Sequence, residues 1–161
     1  MTTVVLPHPK DVRDMFSGLL GRAVDVAPGT PVVPTDAARV AVGVYVEDTL
    51  HLAAVISADL PLAAFAGAAL GLIPKGAAED AVDEGCLPDA MWENFAELLN
   101  IGASLLNHDG APHVRLYGLH HPDELPTPDV GELLRGLGHR LDLVVKIAGY
   151  GSGGLSIVRR P

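Results

Sequence analysis

Val40, Val42, Val44 and Val46 alternate with Arg39, Ala41, Gly43 and Tyr45, the two-residue period of a half-buried strand. Glu47-Asp48 turns the chain, and Leu50, Leu52, Ala54 and Ile56 bring it back with the same period, a hairpin. Elsewhere apolar positions recur at helical spacing. Val12, Met15, Phe16, Leu19 and Leu20 predict a helix from Lys10 to Leu20 that ends at Gly21. Asp59 caps a second helix with Pro61 in its first turn, Phe65, Ala66, Ala69 and Leu70 on its inner face, and Gly71 and Pro74 at its stop. Its small residues Ala63, Ala64, Gly67 and Ala68 suit close approach, by tight packing on the sheet or by contact with a partner. Lys75 to Gly85, with Glu79, Asp80, Asp83 and Glu84, reads as a solvated acidic loop that could also steer a basic partner.

A longer helix, from about Pro88 to Leu106, ends at the turn Asn107-His108-Asp109-Gly110. Ala23 to Ala27 and His113 to Leu119 read as strands, and Pro28, Gly29, Pro31 and Pro34 punctuate the loop after the first of them. Thr127 caps a short helix with Pro128 at its first position and Gly138 beyond its end. Leu141, Leu143, Val145 and Ile147 alternate as a strand facing the core; Gly149 to Gly154 turns the chain and Leu155 to Arg160 closes the sheet. The pattern predicts an α+β fold, an antiparallel sheet of about six strands with the longer helices packed on one face.

At 161 residues and 16.7 kDa the chain reads as one domain, 1–161, with 48% apolar and 19% charged residues, a composition that folds. A formal charge of −9 with no basic block argues against nucleic acid, which needs a positive footprint to displace phosphate counterions. The N-terminus shows no basic region followed by a long apolar run, and the longest uncharged apolar stretch, Leu60 to Pro74, is too short for a bilayer. A soluble, cytoplasmic protein with no membrane segment is the expectation. One cysteine, Cys86, excludes an internal disulfide or a multi-thiolate zinc site; it reads as a small apolar filler, or as a thiol activated near a helix N-terminus.

The chemistry gathers on the long helix. On a 3.6-residue period Glu93, Glu97, Asn100 and Ser104 share one narrow stripe, while Met91, Phe95, Leu98 and Gly102 lie on the opposite side. Asn is a mediocre helix former, so its place beside Glu97 points to use. A carboxylate accepts hydrogen bonds or pairs with a cation; a carboxamide both donates and accepts, and can hold a water molecule without deprotonating it. That chemistry suits positioning rather than nucleophilic attack. Asp89, Glu93 and Glu97 lie along one helix rather than across a cleft, which argues against a glycosidase-type acid pair. Among the seven histidines, His108, His113, His120 and His121 cluster with Asp109 in sequence, but without the spacing that presents two rings together. Gly149-Tyr-Gly-Ser-Gly-Gly154 opens no helix and lacks Lys-Ser/Thr, so it reads as a hairpin turn rather than a phosphate cradle, and Ser152 lacks a nucleophile-elbow frame.

Glu97-x-x-Asn100-Ile101, in the order hairpin, small-residue helix, loop, motif helix, short helix and two closing strands, resembles the CheC/CheX/FliY phosphatases over roughly residues 35–160. Those proteins dephosphorylate the chemotaxis response regulator CheY. The motif occurs once, since the Glu132 helix offers Arg135 where a second copy needs Asn, and a single copy is the CheX-like count. Family members commonly carry Asp or Ser where this chain has Glu93. The resemblance implies that Asn100 orients the attacking water and Glu97 anchors a lysine of a phosphorylated CheY-like receiver domain, with Glu93 and Ser104 beside them at the partner contact. It implies no cofactor of the protein's own, the Mg²⁺ belonging to the receiver. It also implies a homodimer, for which Val40 to Val46 or Leu141 to Ile147 would serve as the edge strand. A non-catalytic receiver-binding adaptor and a flagellar-switch-like structural module are the alternatives on the same fold.

Overall fold

The computed structural model describes residues 5–107 and 112–161, so His108 and Asp109, and the turn expected there, lie outside the described residues. The elements run α1 (Pro9–Leu20), β1 (Val24–Pro28), β2 (Val40–Glu47), β3 (Leu52–Asp59), α2 (Leu60–Leu70), α3 (Lys75–Glu84), α4 (Asp89–Ile101), β4 (Val114–His120), α5 (Pro128–Arg135), β5 (Arg140–Ile147) and β6 (Gly151–Arg159). The six strands form one antiparallel sheet in the order β1-β5-β6-β3-β2-β4. Helices α1 to α4 bury their apolar sides with Ala41, Tyr45, Ile56, Val145 and Ile157 on one face. The short α5 covers part of the other, setting Val130 and Leu134 against Val42, Val44, Val55 and Val158. The expected α+β class and the single-faced layer of long helices are both present.

Coverage of both faces corrects the half-buried reading of the first hairpin. From Val40 to Val46 every residue of β2 is buried, Val40, Val42 and Val44 in the cluster with α5 and Ala41 and Tyr45 in the one under the helix layer. The chain between β1 and β2 is part of the second cover. Val32 crosses the sheet there with both backbone groups held by buried serines: its N–H donates to Ser156 Oγ (2.8 Å) and its carbonyl accepts from Ser57 Oγ (2.7 Å). Ser156 in turn donates to Asp142, which pairs with Arg140. Burial raises the Asp142 carboxyl, but its hydrogen bonds from Arg140 and Ser156 outweigh this and hold its pKa below the usual value.

α2 is buried nearly all round, including Ala63, Ala64, Gly67 and Ala68, so these small residues serve internal packing rather than a partner. A Cβ on Gly67 would lie 2.3 Å from the Met91 carbonyl oxygen, which is how closely α4 crosses it. Its N-terminus rests on β6. Asp59 caps the Leu62 N–H (2.9 Å) with one carboxylate oxygen and takes the Gly154 N–H (2.8 Å) with the other. A Cβ on Gly153 would sit 2.4 Å from the Leu62 nitrogen. The glycines after Tyr150 are therefore strand, not the expected turn: Gly151 to Gly154 pair with Ile147 to Val144.

Further expectations change. Lys75 to Glu84 is a helix, because Ala78 and Ala81, one turn apart, bury a face beside α2 and leave all four acids exposed. Thr127 occupies the N-cap of α5, but its hydroxyl donates to Asp129 rather than to the helix backbone, and the helix stops at Gly136, before Gly138. Cys86 is exposed and so fills no core space. Among the described residues no helix is long and apolar enough to cross a membrane.

Gly67→Ala has no room to be absorbed, since the obstructing atom is backbone. We expect it to lower the unfolding free energy by about 1–3 kcal/mol in urea titration.

Candidate functional site

Met91, Phe95, Leu98 and Leu99 turn one side of α4 inward, each contributing on the order of 1.5–3 kcal/mol by leaving water. The opposite side carries the predicted stripe. Glu93, Glu97 and Asn100 are all exposed, and among the described residues none makes a side-chain hydrogen bond or ion pair. The structure thus brings these three together on one open face. Ser104 is exposed as well but stands outside the helix, since α4 gives way at Gly102–Leu105 to a 3-10 turn rather than running to Leu106. Tighter winding, about 120° per residue against 100°, turns Ser104 roughly a quarter turn from Asn100, to the Glu97 side of the stripe.

What fixes the stripe in space is a set of inward hydrogen bonds that the sequence pattern does not single out. The Asn94 amide donates to the Gly67 carbonyl (2.9 Å), tying α4 to α2. The Tyr45 hydroxyl donates to the Leu99 carbonyl; burial pushes its pKa well above the usual range, so it remains a donor. Arg159, buried at the end of β6, donates to the Leu106 carbonyl (2.7 Å). Burial lowers its pKa, and the Glu47 carboxylate counters part of that. Asn107 exchanges two hydrogen bonds with the Val114 backbone, joining the end of the helical segment to β4. The available signals were a second Asn within α4, a phenol interrupting a run of small residues, and a charge ending an apolar strand.

Cavities of about 340 and 410 Å³ open at Asp59, and no α4 residue lines either. Among the described residues no group of three His, Cys, Asp or Glu could hold a metal ion. His121 instead sets its ring edge-on to Trp92, centroids 5.2 Å apart. A carboxylate and an amide side by side on open helix surface are placed to meet another molecule rather than to enclose one.

The sequence matches no protein-family model and no curated protein. Its fold does match solved structures. A chain of the FliM–SpeE complex from H. pylori aligns with a TM-score of 0.56 at 10% identity, over 94% of this chain and 80% of that one. Thermotoga maritima FliY aligns at 0.52 and 17% identity, over 97% and 91%. A chain of the CheX–CheY–BeF3–Mg²⁺ complex from Borrelia burgdorferi aligns at 0.42 and 10%, over 92% and 94%, a likeness too remote to argue from. The FliM and FliY likenesses define a fold, and this chain has it.

An exposed side chain without partners adds little to stability. Asn100→Ala should change the unfolding free energy by no more than about 0.5 kcal/mol, read by urea titration.

Proposed function

We propose that the protein is a phosphatase for the aspartyl phosphate of a CheY-like receiver domain. The observation that carries the reading is the Glu97/Asn100 pair, exposed and without side-chain partners among the described residues, on a helix pinned from beneath. An acyl phosphate is already a reactive bond, so holding a water in line with it supplies proximity and orientation without a strong base. Asn100 orients that water, accepting from it or donating to it. Glu97 pairs with a receiver lysine, and Glu93 lies one turn before it on the same face. Mg²⁺ belongs to the receiver, where it neutralises charge on the phosphoryl oxygens.

A second reading keeps the fold and drops the chemistry. The FliM and FliY likenesses fit a receiver-binding adaptor or a switch-like assembly module equally well, and Glu93 replaces the usual Asp or Ser. Mixing the protein with phosphorylated receiver separates the two, because an adaptor binds without hastening loss of phosphate. Asn100→Ala should abolish most phosphate release while binding persists, whereas Glu97→Lys should prevent association by placing like charges together. Wild-type release by Asn100→Ala would remove the assigned role.

The homodimer needs a different strand from those the sequence suggested. β2 lies between β3 and β4, and β5 between β1 and β6, so neither is an edge. The edges are β1, which is short and ends at Pro28, and β4, seven residues long with Tyr117 and Leu119 exposed. An open edge with apolar side chains is normally covered or paired. We assign the dimer contact to β4. Light scattering should give about twice 16.7 kDa, falling to one chain for Tyr117→Lys; a wild-type mass of one chain sinks the dimer.

A further inference from the structure

Tyr45 sits where β2 is irregular on both sides. Against β3 the register slips between Tyr45 and Val46, leaving Ala53 as the extra residue; against β4 it slips between Val44 and Tyr45, leaving Tyr117 extra. Bulges bend the strand that carries the extra residue, here β3 and β4, raise the local twist, and recur next to functional sites. Here two of them flank one residue. The Tyr45 ring lies back over Gly43, where a Cβ would come within 3.1 Å of the phenol oxygen, and that oxygen is 3.5 Å from the Cβ position of Gly102. Between these glycines the hydroxyl donates to the Leu99 carbonyl, one residue before Asn100, and α-helical winding ends two residues after it.

We propose that Tyr45 is a positioning residue for Asn100: through the Leu99 carbonyl it sets where α4 changes winding, and so the direction in which the amide leaves the helix. A side chain that enters the hydrogen-bond ladder of a helix tilts the carbonyl it engages and bends the helix there. The Leu99 carbonyl carbon is bonded to the Asn100 nitrogen, so any such tilt moves the Asn100 backbone directly. Tyr45 touches no substrate in this arrangement. Its catalytic consequence rests on the phosphatase reading; its geometric consequence does not.

Tyr45→Phe keeps the ring and removes the donor. In the variant we expect the Asn100 side-chain amide and the backbone amides from Ile101 to Leu105 to shift in NMR spectra and to exchange faster. Those of Met91 to Asn94 should stay as in the wild type. With phosphorylated receiver, turnover should fall about tenfold while affinity stays within about twofold, the split expected of lost orientation rather than lost binding. Gly43→Ala, which crowds the phenol oxygen without deleting it, should move both readouts in the same direction. Wild-type Asn100 signals in Tyr45→Phe overturn the proposal, as does exchange that rises evenly along the whole chain. If the wild-type protein releases no phosphate, the phosphatase reading fails, and the NMR comparison alone decides the role of Tyr45.

Discussion

Everything about the exposed stripe depends on how near α2 lets other backbone come. α2 is a helix built mostly of alanine, glycine and leucine with little free surface, wedged between α4 and the sheet. Close-packed interiors transmit displacement, since they hold few voids in which to absorb it. At Gly67 the α4 backbone touches α2 directly, and the same glycine's carbonyl takes the Asn94 amide. At the other end Asp59 joins the start of α2 to β6 through two backbone N–H groups. Burial alone pushes that carboxyl above its ordinary pKa, and the two donors only partly oppose this. A packed path therefore runs from the glycine half of β6, through α2, to the Met91–Asn94 turn of α4.

The second face of the sheet is stabilised by different means. Its apolar cover is short, so a polar chain completes it: Ser57 and Ser156, paired in register on β3 and β6, hold Val32, and Ser156 leads on to Asp142 and Arg140. Arg140 also donates to the Leu134 and Gly136 carbonyls, closing the end of α5. Buried polar groups are costly when unpaired and specific when paired, so this network fixes the path of the chain from β1 to β2. It leaves β2 enclosed on both faces, with its valines Val40, Val42 and Val44 under this cover and Tyr45 under the helix layer.

Particular residues show how far the sequence was legible. The valine period of β2 was plain, but its other set, Ala41, Gly43 and Tyr45, is apolar too, and alternation cannot reveal that both faces are covered. Ala78 and Ala81 bury α3 with too little apolar signal to outweigh four acids. Gly151 to Gly154 carry the mark of a turn, yet glycine is needed in that strand because α2 lies against it. Strand order is a long-range property, so the sequence offered two good strands for the edge and the structure placed both inside. The Glu93, Glu97 and Asn100 stripe was legible because it follows from helical period alone. Ser104 follows from that period less directly, because the winding changes at Gly102.

The charge of the surface bears on what the stripe can accept. α3 and α4 expose Glu79, Asp80, Asp83, Glu84, Asp89, Glu93 and Glu97 on a chain of formal charge −9. Such a field attracts basic surface and repels a bare phosphoryl group. On the proposed function the two effects are complementary. A phosphoryl group flanked by a lysine and a divalent cation arrives with its charge offset, and the lysine finds Glu97. A phosphate without those neighbours is turned away before it reaches Asn100. The uncharged amide is then the one group on the stripe that can approach the phosphoryl oxygens without adding repulsion, and discrimination comes from the acids around it rather than from a pocket.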